Sequence, residues 1–231
     1  MERDEAVERQ YKNLGHFLIV LVVFVVAGFY KPYFALIPNF EPGITPLVQV
    51  HAILLMGFVA LLVAQPLLIR YKKRELHRSL GKLSYILMPL LAASCIGVIV
   101  KEYDEAVAQS AAIGPALRSI FSDAAQFILL VLLYSLAILN RRNVPVHMRY
   151  MIGVALIVAP AATARILGYW FDVPRYQSGL ASNVFIDAVL IALILFDRRN
   201  HLNPRPYLLV LALFALSHAA FAFLGMPVTH P

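Results

Sequence analysis

Apolar residues in this chain run on without the regular polar interruptions of a water-facing helix. They form seven stretches separated by short polar segments. The stretches cover about 15–30 (GHFLIVLVVFVVAGFY), about 47–69, about 80–100, about 116–139, about 149–171, about 180–196 and about 207–225. A run of about 20 apolar residues makes a helix long enough to cross a hydrocarbon core. The pattern predicts an all-α fold: a polytopic membrane helical bundle of seven transmembrane helices, forming one integral membrane domain over residues 1–231. Pro46 opens the second span, while Pro66, Pro89 and Pro160 fall inside spans. Each inner proline removes a helical hydrogen bond, so kinks are expected there.

The polar segments carry the orientation. RYKKRELHR (70–78), NRRNVPVHMR (140–149) and DRRNHLNPRP (197–206) are strongly basic, whereas 31–46, 101–115 and 172–179 are mixed or acidic. Basic loops stay on the cytoplasmic side, which predicts a cytoplasmic amino terminus and an outer carboxyl terminus. The outward segment KPYFALIPNFEPGITP, rich in proline and aromatics, is expected to lie at the interface or cap the bundle. The opening MERDEAVERQYK has mixed charge and no small-residue cleavage site follows it, so the first span is expected to be retained.

Composition agrees. The chain is 61% hydrophobic and 14% charged, with a mean hydropathy of +0.74. Soluble domains sit near 45–50% apolar and about 25% charged. The net charge of +7 and pI of about 9.6 come from the short basic loops, so topology accounts for them and no nucleic-acid partner is implied. Cys95 is the one cysteine, which excludes an intrachain disulfide, a cysteine-based zinc motif and an iron–sulfur cluster.

Against this background five ionisable residues stand out, each on a different span: His51, Asp123, Arg165, Asp187 and His218. At about 1.5 Å of rise per residue they lie about 7–10 Å below the outer boundary. Ser119, Ser122, Gln126, Thr163, Tyr169, Asn183 and Ser217 accompany them. Ionisable groups inside a bilayer are costly, so they face a bundle interior and mark a working site.

Several readings of this layer stay open. In a structural one, Arg165 neutralises the aspartates and the histidines bond across helices. In a metal-centre reading, His51, His218, Asp123 and Asp187 form the first shell of a divalent ion such as zinc or iron and share base duty, with Arg165 holding a substrate anion. In a haem reading, His51 and His218 are the axial ligands of haem b and Arg165 faces a propionate. A proton-coupled transporter or sensor, in which Asp187 and Asp123 titrate beside Arg165, is a further class. On the cytoplasmic side His77, His147 and His201 lie in or beside the basic loops. They read either as loop histidines beside headgroup-binding arginines or, for His77 with His147, as a second haem pair completing a path across the membrane. His16 and His230 lie near the chain ends.

His77-Arg78-x-x-Gly81 opens one span and His147-x-Arg149-x-Met151 another, with Arg165 following a small-residue stretch and His51 leading its own span. In these motifs, over roughly residues 47–170, the chain resembles an uncharacterised family of bacterial polytopic membrane proteins. It bears a weaker likeness to di-haem b-type membrane cytochromes through the paired histidines, and a loose one to seven-span metal-dependent lipid hydrolases. The resemblance implies a multi-pass protein of a bacterial cytoplasmic (inner) membrane. The leading expectation is a buried His/Asp/Arg site open to the outer side, working as a metal-dependent enzyme on a lipid or other hydrophobic small molecule. Membrane lipids are the expected partners.

Overall fold

The computed structural model describes residues 11–40, 44–110 and 113–224, leaving aside the side chains of 109–110, 113–120, 122 and 223–224. Among the described residues the fold is all-helical. Its seven α-helices are α1 (Leu14–Tyr30), α2 (Pro46–Arg70), α3 (Arg74–Ser110), α4 (Ile113–Leu139), α5 (Val144–Phe171), α6 (Arg175–Arg199) and α7 (Arg205–Leu224). A short 3-10 turn, Phe34–Leu36, lies between α1 and α2. Each expected span has a helix. Five of them, α2, α3, α5, α6 and α7, are long and apolar enough to cross a membrane. The apolar runs of α1 and of α4 from Asp123 onward are shorter, and at 17 residues α1 is about 26 Å long.

Tight turns set the helices antiparallel. Three of them use a non-glycine residue in the left-handed region: Lys72 (φ 59), Asp172 (φ 54) and His201 (φ 54). Such a residue lets the following N–H groups turn back onto the last carbonyls of the helix. Val173 N–H bonds to Leu167 O at 3.1 Å, and Leu202 N–H to Asp197 O at 2.8 Å. At the start of α5 the Asn143 side chain accepts from Val146 N–H, with Pro145 in the first turn where a missing N–H costs nothing.

Helix α5 is the hub. Its middle, IGVALIVAPAATA, combines branched and small residues, and half of its apolar window is buried against 17–22% in the other four long helices. It packs against α1, α2, α4, α6 and α7. The remaining helices circle it in the order α1, α2, α3, α4, α7, α6, and stacked rings of Phe24 and Phe185, 6.3 Å apart, bring α6 back to α1. The outward faces are apolar: Phe17 and Leu216 are each 70% exposed. In water such faces would favour aggregation, so this arrangement suits a lipid surrounding.

The helices differ from the expected spans where charge is present. The segment 101–115, expected as an outward loop, is helical through Ser110, because KEYDEAVAQS is a good helix former and Lys101 pairs with Glu105 at 2.6 Å. Helix α6 opens at Arg175 rather than 180 and closes at Arg199 rather than 196, while α5 opens at Val144 rather than 149. These extra turns carry Glu102, Arg175, Asp197 and Arg149 from expected loops or span edges onto packed helices. Pro66, Pro89 and Pro160 lie inside helices.

Candidate functional site

The helices have two ends: one carries the basic turns 71–73, 140–143 and 200–204, the other the turns near 31–45 and 172–174. The five ionisable residues expected to form one layer lie toward the second end, but they divide into two groups.

The first group gathers around Arg165 on α5. Its guanidinium sits over the Phe29 ring at 4.5 Å and donates to the Ala161 carbonyl at 3.1 Å. Asp123 of α4 and two residues not foreseen, Glu102 of α3 and Arg175 of α6, lie within Coulombic range, as does Tyr169. The Glu102 and Asp123 carboxyl groups lie near each other beside Arg165. His51 of α2, also in Coulombic range of Arg165, is held by Ser94 of α3 through Nδ1 at 3.1 Å. Ser94 spends its own hydrogen on the Leu91 carbonyl at 2.7 Å, so its oxygen accepts from His51 Nδ1–H. The lone pair of His51 Nε2 is left free by this arrangement.

The second group is a dyad. Asp187 of α6 and His218 of α7 meet at 3.0 Å between Oδ1 and Nδ1, with the side chains 29% and 12% exposed. Phe214 packs edge-on against the imidazole at 5.5 Å. The carboxylate accepts from Nδ1–H and fixes the ring, so Nε2 is the nitrogen open to exchange. The neighbouring Asn183 and Ser182 are buried.

The metal-centre expectation finds no support among the described residues. His51, His218, Asp123 and Asp187 do not form one ligand set, and among the described residues no group of three or more His, Cys, Asp or Glu is placed to hold a metal ion. The reason is topological. Helix α2 lies in the ring away from α7, while Asp187 already occupies the near side of His218. Of the accompanying polar residues, Thr163 bonds its own helix at Ala159 O, 2.9 Å, and the side chains of Ser119 and Ser122 lie outside the described residues.

At the basic end His147 keeps a similar posture, its Nδ1 donating to Ala137 O at 2.8 Å. His77 differs: the Gln65 side-chain amide donates to its Nδ1. The two imidazoles lie within Coulombic range of each other. His201 is in the turn after α6, and His230 lies outside the described residues.

The most deeply buried charge in the described chain was not foreseen. Arg149 (1% exposed) and Asp197 (0%) form a two-pronged pair, Nε to Oδ2 at 2.6 Å and Nη2 to Oδ1 at 3.0 Å. Nη1 donates to Pro145 O at 2.7 Å. Tyr11, just before α1, donates its hydroxyl to Asp197 at 2.7 Å, and the rings of Tyr11 and Tyr207 each lie 5.6 Å from the guanidinium carbon. Burial, and to a lesser extent the Asp197 carboxylate, push the Tyr11 phenol above its ordinary pKa. The fully buried Tyr207 hydroxyl lies beside Tyr11 and closes no well-formed hydrogen bond among the described residues. The signal for this cluster is an arginine and an aspartate at the edges of apolar runs, on helices that extend beyond those runs to Val144 and Arg199.

No protein-family model, curated protein or solved structure matches the chain.

Proposed function

We propose that the chain is a seven-span protein of a bacterial cytoplasmic membrane, with its amino terminus inside and carboxyl terminus outside, and that it moves protons across that membrane. The observation that carries this reading is the Asp187–His218 dyad, an acid and an imidazole 3.0 Å apart on two apolar helices. An intramembrane acid–base pair is a recurrent element of proton relays. The carboxylate orients the ring, and Nε2 takes up or gives up the proton. Glu102, Asp123 and Arg175 around Arg165 supply a second cluster of ionisable groups among apolar helices. The basic turns supply the orientation through the positive-inside rule. Membrane lipids are the surrounding partners.

Vesicles reconstituted with the protein and loaded with a pH-sensitive dye test this. An imposed potential should drive proton uptake that Asp187→Asn and His218→Gln each reduce at least tenfold. Uptake no faster than in protein-free vesicles, or unchanged in both variants, sinks the reading.

A haem b electron-transfer protein is the second reading. It is favoured by one specific observation: His51, His147 and His218 each anchor Nδ1 on an acceptor and leave Nε2 available, the state in which imidazole ligates iron. A reduced-minus-oxidised spectrum of protein produced with ample haem decides it. Absence of a Soret band removes this reading.

A further inference from the structure

At the basic end a cavity of about 320 Å³ lies between the first turns of α5 and α7. Arg149 borders it from inside, Arg142 and Asn143 come from the turn before α5, and Asn203 from the turn before α7. Val146 and two prolines, Pro145 and Pro206, complete the wall; each proline is second in its helix and contributes no N–H group. The donors therefore come from side chains. The Asn143 side-chain oxygen accepts from Val146 N–H at 3.4 Å, and that of Asn203 from Arg205 N–H at 3.1 Å. With both oxygens committed to caps, each asparagine has its amide N–H pair left to offer. Arg142 is exposed and has no acidic partner among the described residues. Arg149 retains one N–H on each of its terminal nitrogens after its bonds to Pro145 and Asp197.

We infer that this cavity is a phosphate-binding site, taking the phosphate of an anionic phospholipid headgroup or of a small phosphorylated solute. Three arguments converge on an oxyanion. Every uncommitted polar group at the wall is a donor, and arginine forks match a tetrahedral oxyanion through paired hydrogen bonds. Two helix amino termini face the same space and add positive partial charge from two directions. No carboxylate lines the cavity, because Asp197 is turned inward onto Arg149 and Tyr11. A cation would find no complementary group there, and the apolar part of the wall is limited to Val146 and the two prolines. Asp197 then has a second consequence. By fixing the guanidinium it holds one edge of the cavity rigid, so binding need not order a long flexible side chain. The site lies at the opposite end of the helices from the Asp187–His218 dyad and does not rest on the proton reading.

The test compares two adjacent arginines with equal charge. Arg142 lines the cavity and Arg141 does not. Full-length protein in phosphatidylcholine nanodiscs is titrated with phosphatidylglycerol, read by native mass spectrometry as retained lipid. Separately it is titrated with inorganic phosphate at constant ionic strength, read as a rise in thermal midpoint. Arg142→Gln should weaken retention or the phosphate-induced rise about tenfold, and Arg141→Gln should leave it nearly unchanged. If phosphatidylglycerol is retained and phosphate neither stabilises nor competes, the ligand is the lipid headgroup. If phosphate stabilises and displaces the lipid, the site takes free phosphate as well. Equal loss in both variants means general attraction to a basic surface and overturns the inference, as does absence of binding in both titrations. Asn203→Leu, which removes a donor without changing charge, should reproduce the Arg142 loss; full binding by this variant also overturns the inference.

Discussion

Each member of the Arg149–Asp197 pair lacks contact with solvent and depends on the other for compensation of its charge. Removing one partner of a buried pair leaves an uncompensated charge and costs about 3–5 kcal/mol, whereas replacing both with apolar groups costs far less. Asp197→Asn and Arg149→Met should therefore each lower the thermal midpoint in detergent, and Arg149→Met with Asp197→Leu should recover part of the loss. Strict additivity across that cycle would show that the two charges are not coupled. Tyr11 extends the argument to pH. Its phenol is held protonated by burial in the folded chain, so above pH about 10 the folded state binds more protons than the unfolded one and stability falls as pH rises. Stability from this group is complete below about pH 10 and is lost as pH climbs through the folded value. The extra loss of stability on alkaline titration should be smaller in Tyr11→Phe, at the cost of about 1 kcal/mol from the lost hydrogen bond at neutral pH. A difference of a few residues in helix ends is what hid these groups. One turn is enough to move Asp197 from a basic loop into a sealed core, and periodicity does not resolve boundaries that finely. His51, Asp123, Arg165, Asp187 and His218 were visible for the opposite reason: each falls within an expected span, where a charge stands out against apolar neighbours.

The helices were legible from their apolar runs, because length and continuity need no knowledge of neighbours. Which faces touch was not. Helix α1 lies against α5 at Gly28, where an added Cβ would stand 2.5 Å from the Ala162 carbonyl oxygen and 2.9 Å from its Cα. Both are backbone atoms of a fully buried residue in the hub, so neither yields. Gly28→Ala should force the helices apart and cost about 1–3 kcal/mol, by analogy with overpacking of a core. Gly81, part of the His-Arg-x-x-Gly motif, is a useful contrast, since a Cβ there meets nothing within 4 Å. Gly81→Ala should be neutral or stabilise by up to about 1 kcal/mol through helix propensity. Thermal unfolding of the two variants side by side checks this pair, and equal effects would deny the close approach of α1 and α5. The same limit explains the division of the ionisable layer. Depth along each helix was readable from residue count, but rotation about each axis was not. Two residues at one depth on α2 and α7 thus belong to different clusters.

At the scale of the molecule, one helix is enclosed and six surround it, and this determines where charge is tolerated. Arg149 and Arg165 sit on the enclosed helix, near its two ends, and each is met by acids from the ring: Asp197 at one end, Asp123 and Glu102 at the other. The hub thus carries fixed positive charge at both ends and an apolar, small-residue middle, while the acids that answer it belong to the surrounding helices. The basic turns all lie at one end, and the positive-inside rule predicts that this end faces the cytoplasm. In a Cys95→Ala background, Asn39→Cys places a thiol in the exposed turn between α1 and α2, and Arg141→Cys places one in the exposed turn between α4 and α5. A membrane-impermeant maleimide added to intact cells with a permeable outer envelope should label Asn39→Cys at once, and Arg141→Cys only after the membrane is opened. The reverse pattern would invert the bundle and place the Asp187–His218 dyad near the cytoplasmic face. Labelling of both from outside would break the seven-span count, because an even number of crossings would then separate two turns that α2, α3 and α4 should place on opposite sides.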